Sequence, residues 1–187
     1  PGPAAGHPTT RQRAGEVIKR LRSLLKNGNT QFAPVDLKEL VKSTLELLRA
    51  ESINRGIRIT SDLEFGIPHI VGDVVELQQV LINLVMNAME AVQQTDTARR
   101  VIVLRARNGG DEMVEVSVTD RGVGISVADQ ERIFEPFFTT KERGLGLGLS
   151  ICSTIVGRHR GTLSIQSKPN EGTAATLRLP ANEGAST

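Results

Sequence analysis

The chain has 187 residues, 39% hydrophobic and 24% charged, with a net charge of +2, long enough for one domain with a real core. No apolar run approaches the roughly 18–20 residues of a membrane span, a single cysteine excludes a disulfide framework or a cysteine-rich zinc site, and three scattered histidines do not make a metal centre. Aromatic content is five Phe with no Trp or Tyr, and Phe134, Phe137 and Phe138 crowd into one segment.

In chain order, residues 1–12 lack the layout of a signal peptide and read as a linker or appended remnant. Between Arg11 and Lys26 six basic residues stand against Glu16 alone, leaving 17 basic and 20 acidic residues elsewhere. Val17, Leu21, Leu24 and Leu25 recur at helical spacing in this arm. Its charges read as the solvated side of an amphipathic helix, and without interleaved aromatics they do not make a nucleic-acid surface. After a turn at Asn27-Gly28-Asn29, Asp36 is placed to cap a helix that buries Leu37, Leu40, Val41, Thr44, Leu45 and Leu48 and ends near Gly56. Ile57, Ile59 and Ser61 alternate as in a half-buried strand. A long helix is expected over Val74–Gln93, opened by Asp73 with Glu76 three residues on, the capping-box arrangement. Strands near Val101–Ala106 and Met113–Thr119 hinge at Asn108-Gly109-Gly110-Asp111, and a glycine-punctuated region runs from Asp120 to Gly148. A helix over Leu149–Arg160 and a hairpin of Thr162–Ser167 with Thr173–Leu179 complete the order. The elements make an α+β chain, one mixed sheet with helices on one face.

Three places break the packing pattern. Asn83 and Asn87 lie one turn apart beside the apolar stripe of the long helix. Asparagine is a poor helix former, and its amide oxygen suits Mg²⁺ beside phosphates; taken alone, a solvated helix face with Glu76, Glu90 and Gln94 explains the pair better. Asp120-Arg121-Gly122-Val123-Gly124-Ile125 follows an alternating strand, so a carboxylate sits at a strand end before glycines that allow close backbone approach. By itself it is also a turn. Gly144-Leu145-Gly146-Leu147-Gly148-Leu149 runs into a helix, where backbone N–H groups and the macrodipole favour phosphate. It is neither a Walker loop nor a dinucleotide fingerprint, the protein-kinase motifs are missing, and ligand-free hinge glycines would read the same way.

In order, Asn83–Ala88, Asp120–Gly124, Phe134-Glu135-Pro136-Phe137-Phe138 and Gly144–Leu149 resemble the four nucleotide-binding boxes of the catalytic domain of sensor histidine kinases, in the ATPase superfamily shared with gyrase B, Hsp90 and MutL. Thr139-Thr140-Lys141 and Ser150-Ile151-Cys152 extend a resemblance that covers about Phe32 to Pro180. It implies a two-layer α/β sandwich of the Bergerat type with a mobile ATP lid over about Glu135 to Gly146. It also implies ATP and Mg²⁺ as cofactors, with Asn87 on the metal and Asp120 accepting the adenine amino group. Gly122 and Gly124 would admit the base, Ala91 and Ile125 would pack on it, and Thr173 would line the pocket beside it. Lys141 and Arg143 would be the lid cations, and Gly144, Leu145, Gly146, Leu147 and Gly148 the phosphate loop. Asn83 stands where the hydrolytic members carry a glutamate base, and an amide cannot take that proton. That favours a kinase over an ATPase, with Asn83, Asn87 and Lys141 as catalytic candidates. Many kinases of the family carry a cation where this chain has Glu90.

None of His7, His69 and His159 has the acidic neighbour and following proline of the family's phosphoacceptor. The resemblance therefore divides the chain into residues 13–30, the end of the second helix of the dimerisation hairpin, residues 31–181, the catalytic domain, and a tail over 182–187. It implies a cytoplasmic kinase domain that phosphorylates a histidine on that hairpin for relay to a response regulator receiver domain, with no nucleic-acid partner and no direct membrane contact by this stretch of chain, a membrane anchor elsewhere in a full-length protein being left open. The alternatives are a superfamily ATPase and a non-enzymatic nucleotide-binding interaction module.

Overall fold

The computed structural model describes residues 31–141 and 144–182. The chain divides between Thr30 and Gln31 into two units, and every described residue belongs to the second. The basic helix expected over residues 13–30, the tail over 183–187 and Arg143 lie outside the described residues.

Asp36 opens α1 (Leu37–Asn54), its Oδ1 accepting the Lys38 N–H at 2.8 Å, and Gly56 (φ +63°) ends the turn that follows. Leu37, Leu40, Val41, Thr44 and Leu48 face the core as expected; Leu45 is half-buried, and Ser52 continues the stripe. The axis of the domain is α2 (Val74–Gln93). Leu77, Val80, Leu81, Leu84, Val85, Ala88, Met89 and Val92 are all buried on it, each larger side chain contributing on the order of 1.5–3 kcal/mol.

Five strands form the main sheet: β2 (Arg58–Leu63), β4 (Val101–Gly110), β5 (Met113–Asp120), β7 (Gly172–Pro180) and β6 (Thr162–Lys168), in the spatial order β2-β4-β5-β7-β6. β2 runs parallel to β4, and the remaining pairs are antiparallel. Alternation places Ile102, Leu104 and Ala106, then Val114, Val116 and Val118, then Ala175, Leu177 and Leu179 in one buried layer. With α1, α2 and a C-terminal helix, α4 (Gly148–Arg158), this layer makes a single core, and none of its apolar residues is aromatic.

Several expectations are corrected. β1 (Ala33–Val35) and β3 (Ile70–Gly72) pair antiparallel as a separate ribbon that the short, proline-bearing Ala33-Pro34-Val35 stretch does not announce. Ser61 is exposed, because β2 is an edge strand. The β4–β5 turn is tighter than its glycines suggest: β4 runs on through Gly110 with a bulge, and Asp111 and Glu112 (φ +48° and +57°) make the reversal. A short α3 (Val127–Gln130), capped by Ser126, interrupts the glycine-rich region.

The capping box at Asp73 is half formed. Asp73 Oδ1 accepts from Val75 and Glu76 N–H at 2.9 and 3.1 Å, but the Glu76 carboxylate turns to Arg158 on α4 at 2.7 Å. The Asp73 N–H is taken by Nε2 of buried His159 at 2.9 Å, while His159 Nδ1 faces the Ile155 carbonyl at 2.8 Å. The ring therefore holds its proton on Nδ1 and ties the start of α2 to the end of α4. Phe32 stacks on it at 4.8 Å.

Candidate functional site

Alternation along β5 does something unusual at its last step. Val114, Val116, Val118 and Asp120 share the helix-facing side, so the residue that ends the apolar row is a carboxylate, only 6% exposed. Its partner across the ladder is Thr173, on the same side of β7 as Ala175, Leu177 and Leu179. Burial pushes the Asp120 carboxyl above its usual range, and the backbone N–H groups of Gly122 and Thr173 pull it part of the way back. The Gly122 N–H lies 2.7 Å from Oδ1.

The loop after Asp120 needs its glycines. A Cβ on Gly122 would lie 2.6 Å from Ala91 Cβ and 2.8 Å from Asp120 Oδ1. Gly124 has φ +69° and faces the Lys168 carbonyl so closely that any side chain would strike backbone. One backbone carbonyl and two polar side chains pin this loop: the Val123 N–H reaches the Ala91 carbonyl at 3.4 Å, the Ile125 N–H donates to Ser167 Oγ at 2.9 Å, and Gln130 Nε2 donates to the Ile125 and Ser167 carbonyls at 3.0 Å. Ser167 Oγ also lies 2.8 Å from Thr173 Oγ1 and donates to the Gly172 carbonyl at 2.9 Å. Ala91 on α2, Gly122 and Thr173 are therefore gathered around one buried acceptor, and Ile125 is linked to Thr173 through Ser167 Oγ.

On α2 the face beside the core stripe carries Asn83, Asn87, Glu90 and Ala91, all half-buried. Asn83 hydrogen-bonds the thiol of Cys152, which is buried and pushed up to about 12 by desolvation. Both asparagine amides look at Gly148, whose Cβ would lie 3.9 Å from Asn83 Oδ1 and from Asn87 Nδ2. Gly148 is the first residue of α4, and α4 starts differently from the other described α-helices. Asp36, Asp73 and Ser126 cap α1, α2 and α3 with their side chains, whereas Leu147, before α4, supplies no such bond. The α4 N-terminus thus presents backbone N–H groups without a side-chain cap towards the two asparagines.

Lys141 closes the arrangement from the lid side. Its Nζ donates to Asn87 Oδ1 at 2.8 Å and pairs with Glu90 Oε2. The segment is folded back on itself: Lys141 N–H bonds Thr139 Oγ1 at 3.1 Å, Gly144 N–H bonds the Lys141 carbonyl at 3.1 Å, and Phe137 N–H bonds the Gly146 carbonyl at 2.9 Å. Gly146 (φ +67°) packs on the Phe137–Phe138 backbone, Leu147 is buried, and Gly144 and Leu145 are half-buried. A buried acceptor for an amino group and an open helix N-terminus for an anion thus flank one face of α2. Residues 72–183 match the family model of histidine kinase-, DNA gyrase B- and HSP90-like ATPases.

The chain belongs to that family. Within it the chain is a catalytic domain of the sensor histidine kinase type. It is 36% identical over 169 residues to the sensor histidine kinase TmoS of Ectopseudomonas mendocina, an alignment covering 90% of this chain but only 17% of that protein. The solved catalytic domain of histidine kinase ThkA superposes with a TM-score of 0.70 at 31% identity, covering 81% of this chain and 96% of that one. ThkA in complex with the response regulator protein TrrA superposes with a TM-score of 0.75 at 27% identity, over 92% of this chain and 48% of that one. The expected α/β sandwich is the one observed, a mixed five-stranded sheet layered with helices.

The expected site residues among those described lie on α2, at the start of α4, on the loops beside them and, for Thr173, on β7. Sequence reasoning passed over Ser167 and Gln130, which shape the Asp120 loop. It set Glu90 aside, although Glu90 ties down the lid lysine. Ser167 pairs across the final hairpin with Thr173, so the only signal for it was a polar residue facing a suspected site residue in a strand. A polar groove of about 470 Å³ bounded by Gln93, Arg99, Arg100 and Asn170 lies behind the same loop. Its arginines are engaged with carbonyls of Asn170, Thr95 and Gln93.

Proposed function

We propose that this domain binds ATP with Mg²⁺ and transfers the γ-phosphate to a histidine on a dimerisation hairpin. The observation that carries the proposal is the pairing of buried Asp120 on one flank of α2 with the uncapped start of α4 on the other, facing Asn83 and Asn87. Asp120 accepts the adenine amino group; Gly122 and Gly124 leave room for the base, and Ala91, Ile125 and Thr173 border it. Gly144, Leu145, Gly146, Leu147 and Gly148 present N–H groups to the phosphates. Lys141 and Arg143 add positive charge from the lid.

The residues fit the metal, since Asn87 Oδ1 already accepts from a cation, the Lys141 ammonium. Asn87 would hold Mg²⁺, which supplies charge neutralisation on the phosphates when bound. The attacking nitrogen is the unprotonated one of the acceptor imidazole. As the N–P bond forms in line, the γ-phosphorus bond to the bridging oxygen breaks, ADP leaves with the electron pair, and the other ring nitrogen gives its proton to the acidic neighbour of the acceptor histidine on the hairpin. Asn83 occupies the position from which water would be activated, and an amide does not act as that base. It orients, held by Cys152.

On this reading residues 31–181 are the kinase domain and residues 13–30 end the hairpin helix, followed by a tail over 182–187. The phosphoryl group passes on to a receiver domain of a response regulator, the kind of partner found with ThkA. ATP as donor puts the domain in the cytoplasm; none of the described helices is long and apolar enough to cross a membrane. The test is radiolabelled ATP with and without a separately produced histidine-bearing hairpin. Acid-labile, alkali-stable label on the hairpin is expected, lost in Asn87→Ala with circular dichroism unchanged. Steady phosphate release without hairpin labelling would overturn transfer in favour of hydrolysis.

A further inference from the structure

Asn87 and Glu90 stand three residues apart on α2, a spacing that sets two side chains on one face. Their oxygens converge on the same point, and the Lys141 ammonium occupies it: Nζ lies 2.8 Å from Asn87 Oδ1 and is paired with Glu90 Oε2. Glu90 and Lys141 are each 42% exposed at the side chain, so the pair stands at the rim of the site and is open to exchange. An amide oxygen and a carboxylate oxygen facing one position form a hard, oxygen-only donor set. Mg²⁺ takes such sets, typically one or two carboxylates completed by phosphate and water. An ammonium and a divalent ion cannot both sit on these two oxygens, because their charges would repel at contact distance.

We propose that Asn87 and Glu90 form one cation seat, filled by Lys141 without nucleotide and by the divalent ion that accompanies the nucleotide. Glu90 is then part of the metal site, directly or through a metal-bound water, and Lys141 is its built-in competitor. The exchange reaches the lid, because Lys141 belongs to the turn held by Thr139 Oγ1 and the Gly144 N–H. Leaving the seat unties that turn from α2 and sets the ammonium free for phosphate. This rests on the reading that Asn87 holds the metal.

The experiment is calorimetric titration with ADP over a series of Mg²⁺ concentrations, reading the Mg²⁺ concentration that gives half of the metal-dependent gain in affinity. Lys141→Met removes the competitor and should lower that concentration. Glu90→Gln keeps the shape but removes the charge and should raise it, with Glu90→Asp recovering part of the loss. Each shift should be about two- to fivefold, the scale of a partly exposed ion pair. The opposite signs are the decisive feature, since a salt bridge that only stiffened the lid would move both variants the same way. Shifts of equal sign, or none, overturn the shared seat. Asn87→Ala separates the two levels. Mg²⁺ dependence surviving in that variant overturns the metal reading itself, whereas dependence lost there without divergence of the other two overturns only the role given to Glu90 and Lys141.

Discussion

Asp120 brings a charge to the end of an apolar strand row, and the domain holds it there with two backbone N–H groups. Because burial raises its folded pKa, the native state keeps this proton to higher pH than the unfolded chain does. Folding stability from this group is therefore greatest below the ordinary carboxylate range, declines as pH rises towards the raised value, and is level above it. With Asp120 as the proposed acceptor of the adenine amino group, nucleotide affinity runs the other way, since that role calls for the ionised carboxylate. It should fall as pH drops through that raised range. Asp120→Asn keeps an oxygen for Gly122 and Thr173, so the thermal midpoint at neutral pH should hold. ADP affinity by calorimetry should drop roughly 10- to 150-fold, the loss of a hydrogen bond to a charged group. Unchanged affinity would remove Asp120 from the adenine pocket. Cys152 supplies a simpler check at this scale. With its thiol pushed up to about 12, iodoacetamide at pH 8 should leave the folded domain unlabelled and react only in denaturant. Rapid labelling of the folded domain would contradict the packing of Asn83 against it.

Among the elements, the β6–β7 hairpin does more than complete the sheet. Ser167 Oγ takes the Ile125 N–H and reaches Gly172 and Thr173, so one hydroxyl fastens the Asp120 loop to the hairpin. Ser167→Ala leaves the Ile125 N–H and the Gly172 carbonyl without that partner, a cost of about 1–3 kcal/mol where such groups stay buried. We expect several-fold weaker ADP binding, with amide exchange rising at residues 122–125 and not in α2. Uniform exchange across the domain would mean that Ser167 serves stability alone.

This element also shows where the sequence was readable. Long periodic segments such as α2, and the alternation of β5 and β7, follow from side-chain spacing, whereas the Asp120–Thr173 pairing at their ends is set by the sheet order. Asparagines mid-helix and clustered glycines stood out because they violate local propensity, each with an ordinary reading of its own, and the resemblance to a known family joined them with the phenylalanine segment as four boxes. Contacts set by tertiary packing were not. Glu76 could cap its own helix, but Arg158 and His159 from α4 outcompete that local bond. The β1–β3 ribbon forms from three-residue strands too short to show a period. Glu90 looked like a solvated residue because its partner, Lys141, lies about fifty positions along the chain.

For the molecule as a whole, the distribution of phenylalanine is the feature that packing does not explain. The described core is entirely aliphatic, and Phe137 stands 71% exposed with φ +68°, a left-handed conformation that costs a bulky residue on the order of 1–2 kcal/mol. Its neighbours are placed otherwise: Phe134 and Phe138 are half-buried, and Arg132 lies 4.4 Å over the Phe138 ring. The Phe137 N–H is fixed to the Gly146 carbonyl, so the backbone that sets the ring direction is tied to the glycine-rich segment before α4. A strained backbone that aims an aromatic ring at solvent beside the glycine-rich start of α4 suits a surface that meets another domain. Phe137→Gly should therefore raise the thermal midpoint, by relieving the strain, while lowering transfer to the hairpin. Phe137→Ala should lower transfer as well and leave ADP affinity within about twofold, since the ring is 71% exposed and carries no charge. If both variants weaken ADP binding as much as transfer, the ring belongs to the nucleotide pocket and not to docking. If Phe137→Gly is destabilised while transfer is untouched, the strain serves only to shape the lid.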